Sequence, residues 1–168
     1  AHRWHHVVGS WNGKKKRIYL DGKVVAESAF AGTTRPGKTA LRIGAYGQEG
    51  KAVNFYNGDV AMCAVYDRAL NEDQVKKRFA DRGLSVPQND RLLACWPFTE
   101  EKGKQVADAS DFGRDGRIIN RGTWMIGGPS FNASAINRHD SQYDPSKDDK
   151  RGHGLRLASD EIYNARWK

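Results

Sequence analysis

Trp4-His5-His6-Val7-Val8-Gly9-Ser10-Trp11-Asn12-Gly13, then Arg17-Ile18-Tyr19-Leu20-Asp21-Gly22-Lys23-Val24-Val25-Ala26-Glu27, is the stretch that decides the fold. Its runs are rich in aromatic and β-branched residues, which suit a pleated, half-buried surface. Asn12-Gly13 and Asp21-Gly22 are hairpin dipeptides, because both central positions of a tight hairpin turn favour residues that tolerate positive φ. Ile18 and Leu20 share one face and Tyr19 looks the other way. The reading is an antiparallel meander of three short strands, as in an all-β sandwich. Lys14 to Arg17 is a basic run placed in the first turn region.

Outward from this stretch, Phe30 to Lys38 reads as a loop around Gly32, Pro36 and Gly37. Ala40 to Tyr46 reads as a strand. Asp59 to Tyr66 reads as a central strand buried on both faces. A short helix is expected over 71–82: Asn71 and Gln74 form a capping box, Val75 and Phe79 share a face, and Gly83 closes the C-terminus. Residues 84–91 form a linker. Leu92 to Phe98 is a strand with Pro97 marking an edge. Arg117 to Asn120 and Leu155 to Leu157 are further short strands. The jelly-roll sandwich is assigned to 1–126. Residues 127–168 are read as an irregular, partly mobile extension.

Bulk properties narrow the function. Of the 168 residues, 38% are hydrophobic, so large aromatics must supply much of the core. No run of 18 apolar residues is present, which argues against a membrane span. The net charge of +8 is scattered rather than clustered, and no nucleic-acid-binding motif accompanies it. Cys63 and Cys95 lack C-x-x-C spacing, so the alternatives are two buried thiols or one disulfide, and neither establishes a compartment. The abrupt start on Ala1 suggests a fragment or an excised module.

Trp4 to Trp11 with Ile18 to Lys23, Ala40 to Gly44, and Asn57 to Leu70 resemble the core of laminin-G-like, concanavalin-type jelly rolls. Leu93 to Phe98, Val106 to Ser110 and Gly113 to Gly116 resemble the opening strand of the same fold, displaced to follow the closing half. That order, with Ser159 to Trp167 after it, resembles an internal segment of the bacterial N,N-dimethylformamidase large-subunit family. The resemblance implies a non-catalytic part of such a subunit, and no catalytic residue carries over from it. If the front of the sandwich is missing, open sheet edges imply a homo-oligomer or strand-exchanged dimer.

The candidate ligand-binding residues are Trp11, Tyr46, Asn54 and Tyr56. Sugar rings stack on aromatic faces, and amides take the hydroxyls. Core packing is the competing role for Trp11 and Tyr46. Asp108, Asp111 and Asp115 share one glycine-containing loop and offer oxygens of the type calcium takes, without EF-hand spacing. His5 and His6 diverge on a strand, and so do Glu100 and Glu101 if they are extended. The expected function is carbohydrate-type binding or assembly. The alternative is a small hydrolase of glycosidic or amide bonds, for which no catalytic constellation stands out.

Overall fold

The computed structural model describes residues 4–33, 37, 40–88, 91–119, 122–126 and 153–157. The expectations for 127–152 and for Ser159 to Trp167 lie outside the described residues.

The chain is an antiparallel β-sandwich, with one helix among the described residues. Strands β1 (Val7–Trp11), β2 (Lys15–Leu20) and β3 (Lys23–Ala29) form the meander, in the order β1-β2-β3. Asp21 and Gly22 both take positive φ, 52° and 80°, as a two-residue hairpin turn requires. The Asn12 turn is longer: its Oδ1 accepts from the Lys14 and Lys15 amides. Lys15, Lys16 and Arg17 lie in β2 rather than in the turn, because this loop ends at Lys14. The strand containing Trp4 begins only at Val7. The sheet's inner face is the Tyr19 face. Tyr19 is fully buried, while Ile18 and Leu20 face outward. A bulge at Val25 shifts the β2–β3 register between Ile18 and Tyr19.

Three expectations are corrected. Residues 40–45 are not a strand. Pairing starts at Tyr46, in a small hairpin of β4 (Tyr46–Gln48) and β5 (Lys51–Val53). The Asp59 to Tyr66 run is two strands, β6 (Gly58–Val60) and β7 (Cys63–Tyr66), in different sheets. Arg117 ends a two-residue strand, β10 (Gly116–Arg117), that pairs with β9 (Gln105–Val106), and Ile118 and Ile119 are not strand. One strand, β11 (Gly122–Ile126), had no signal in the sequence. It pairs with β12 (His153–Leu157), which also pairs with β6.

Helix α1 (Glu72–Asp81) carries the expected capping box, with Asn71 Oδ1 accepting from the Gln74 amide at 2.9 Å and Gln74 returning a bond to the Asn71 amide. Its left-handed C-cap is Arg82, and Gly83 follows with positive φ. Among the described residues no helix is long and apolar enough to cross a membrane.

Strand β7 pairs with β8 (Leu92–Trp96), and this ribbon carries a core on each face. Ala94 and Trp96, with Cys63 and Val65, face one cluster, which Phe98, Val106 and Ile118 complete. Tyr66 faces the other, built from Tyr19, Leu70 and Val75. Val75→Ala removes a fully buried side chain and is expected to cost about 2 kcal/mol. Asn71→Ala is expected to cost about 1 kcal/mol through the lost cap. Urea midpoints with unchanged m-values check both.

Candidate functional site

The β7–β8 register decides the cysteine chemistry. Cys63 lies opposite Trp96, and Cys95 lies opposite Ala64. Directly opposed residues share a face and successive residues alternate, so the two thiols point to opposite faces. Both cysteines are free. Burial raises the Cys63 thiol. Burial also drives Cys95 up to about 11, helped by Cys63 and Asp108 and opposed by Arg78. Such thiols are poor nucleophiles at neutral pH. Aromatic-disulfide titration at pH 8 is expected to label neither cysteine rapidly in the native chain and both in denaturant.

The Asp108 loop is a closed hydrogen-bond knot. Its carboxylate accepts from the amides of Cys95 (2.8 Å), Ser110 (3.0 Å) and Arg114 (2.8 Å) and from the Ser110 hydroxyl (2.8 Å). Asp115 accepts from the Asp108 amide and from Gln105. Desolvation works to raise the Asp108 carboxyl, but these donors overcome it and hold it down at about 2. Both Asp108 oxygens therefore serve the loop rather than a cation, and Asp111 does not complete a ligand set. Among the described residues no group of three or more His, Cys, Asp or Glu side chains is placed to hold a metal ion.

A third polar group surrounds the first hairpin. Asp21 accepts from the His6 amide and pairs with His5 Nδ1, both at 2.9 Å. Desolvation opposes ionisation of Asp21, and the two histidine contacts outweigh it and lower its pKa. Burial beside Phe79 lowers the His6 pKa, against the pull of Asp21. Glu27 is likewise lowered, held by Lys15 and Arg17. Among the described residues the displaced carboxylates, Asp21, Glu27 and Asp108, all move down.

The candidate ligand residues divide between two places. Trp11 and Tyr56 line one cleft of about 1520 Å³, together with Trp4, Asn12 and Asp59. Trp11 is half-buried, its Nε1 donating to the Phe30 carbonyl at 3.1 Å and its ring edge-on to Phe30. Tyr56 is 53% exposed. Its ring lies over Gly58, where a Cβ would come within 2.6 Å of the hydroxyl oxygen. Tyr46 and Asn54 do not line this cleft; they sit on the β4–β5 hairpin, and Tyr46 is 63% exposed rather than core. Asn54 leaves β5 with φ of 51°, a conformation that asparagine tolerates.

Sequence reasoning missed what frames the cleft. Every residue from Trp4 to Gly13 lines it. The Asn12 amide donates to Lys15 and the Asp21 amide to His6 C=O, so the even-numbered residues of β1 bond toward β2. Val7, Gly9 and Trp11 therefore turn their N–H and C=O groups away from β2, to an edge with no strand partner among the described residues. Only the long-range register of the meander reveals this.

A family model described as the concanavalin A-like lectin/glucanases superfamily matches residues 1–76. No curated protein matches the chain.

Acid sensitivity follows from the lowered groups. A depressed pKa contributes stability at higher pH that is lost as pH falls through it. The His6 contribution is expected to fade below its usual value of 6.5. The Asp108 contribution is expected to fade between its usual 3.8 and about 2. Asp108→Asn is expected to destabilise at pH 7 and to flatten the stability profile below pH 4, read as thermal midpoints against pH.

Proposed function

We propose that this chain is a non-catalytic β-sandwich module that binds carbohydrate in the cleft between β1 and the β6–β7 segment. The observation that carries the reading is the cleft wall itself. It joins the aromatic rings of Trp4, Trp11 and Tyr56 to Asn12 and Asp59 and to the amide edge of β1 that has no strand partner among the described residues. Aromatic faces suit the C–H faces of sugar rings. The strand edge and side-chain oxygens suit their hydroxyls. The match of residues 1–76 to a lectin and glucanase superfamily supports this substrate class. The likeness to a dimethylformamidase large subunit stays within this proposal, as a non-catalytic segment of such an assembly.

Titration with an oligosaccharide panel, read by tryptophan fluorescence, tests the reading. Tyr56→Ala is expected to weaken binding about tenfold, and Tyr46→Ala to leave it nearly unchanged. Silence across the panel overturns the proposal. Glycoside or formamide turnover abolished by a single Asp or Glu substitution overturns the non-catalytic part.

The β3 edge, at the other end of the meander from the cleft and unpaired among the described residues, also favours assembly with a second copy, since unpaired strand edges recruit strands. Light scattering is expected to show a dimer at high concentration. A clean monomer contradicts assembly without touching sugar binding.

A further inference from the structure

A second cavity, of about 550 Å³, opens on the other core and differs in chemistry from the cleft. Its walls include Ile43, Phe55, Val65, Trp96, Phe98 and Ile118. Apolar groups continue to the rim, where Leu41 is 65% exposed and Ile119 is 75% exposed. An open apolar hollow of this size, with few polar groups, is the form of a small-molecule site rather than a sugar site.

The charge at the rim selects the head group. Arg42, Arg114 and Arg117 border the cavity, with Asp115 the only acidic residue beside them among the described residues. Asp115 is occupied by the Asp108 amide and Gln105. Arg42 is tied to the Ala40 and Gly50 carbonyls. Arg114 is tied to the Leu93 carbonyl and stacks on Phe112. The Arg117 side chain is exposed and makes no hydrogen bond or ion pair among the described residues. It is a guanidinium free to take an anion.

We infer that this cavity binds an amphipathic anion, with its apolar body among Trp96, Phe98 and Ile118 and its carboxylate or sulfonate on Arg117. Charge-assisted guanidinium–carboxylate bonds give the orientation, and burial of the apolar body gives the affinity. The cavity shares Tyr56, Val60, Val65 and Leu93 with the proposed sugar cleft, whereas Arg117, Ala45 and Ala52 line the cavity alone, so failure at those three positions would leave the sugar reading standing.

Calorimetric titration of the full chain with dodecanoate, dodecanol and dodecyltrimethylammonium, each below its aggregation limit, tests the inference. Dodecanoate is expected to bind saturably and about tenfold more tightly than the cation. Arg117→Gln is expected to cost about tenfold for dodecanoate and little for dodecanol, with an unchanged unfolding midpoint. Ala45→Phe, on the cavity wall, is expected to abolish both. Should that variant fail to fold, Ala52→Leu is the second filler and is expected to weaken both. Equal affinity for the three probes, no saturable binding, or indifference to Arg117→Gln overturns the inference.

Discussion

The pairing of β7 with β8 is the constraint on which the rest of the molecule depends. Antiparallel register places Cys63 and Val65 with Trp96 and Ala94 on one face and leaves Tyr66 to the other. Each face then carries its own small core. The meander and helix close over one through Tyr19 and Val75. The Phe98, Val106 and Ile118 segments close over the other. A one-residue slip would exchange these faces and bury neither set. The same alternation separates the two thiols.

Tryptophan indoles staple loops onto this frame. Trp96 Nε1 donates to Arg114 C=O, Trp124 Nε1 to Gly103 C=O, and Trp11 Nε1 to Phe30 C=O. Each ring buries apolar area while its single polar atom satisfies a loop carbonyl. A chain poor in aliphatic residues thus uses aromatics to do two jobs. The Asp108 knot does the same with charge, gathering four donors from three stretches of backbone.

The frame leaves two hollows of opposite character. One runs beside a bare strand edge and mixes aromatic rings with polar groups. The other lies over the aromatic core, with apolar walls and a cationic rim. The strand edge brings amides to the first, and the side chains of Val65, Ala94 and Trp96 on the β7–β8 inner face make the second apolar.

Local signals were legible wherever local chemistry settles the conformation. Asp21-Gly22 specifies its turn because both residues accept positive φ. Asn71 with Gln74 specifies the helix start because the bonds span three residues. The alternation around Tyr19 is visible, though not which face is buried. Ala40 to Ala45 misled because its apolar composition resembles a strand even though it has no strand partner among the described residues. Gly122 to Ile126 was invisible because its pairing with His153 to Leu157 spans a long separation. Trp11, Tyr46, Asn54 and Tyr56 lie at strand ends or in loops, as read, but their grouping was not legible. The sequence by itself determined the meander, the capped helix and the aromatic inventory, since turns and caps are short-range hydrogen-bond problems. Only the tertiary structure decided that Cys63 and Cys95 face apart, that Asp108 serves the loop, and that Trp11 and Tyr56 share a cleft. Those outcomes depend on strand register between distant segments.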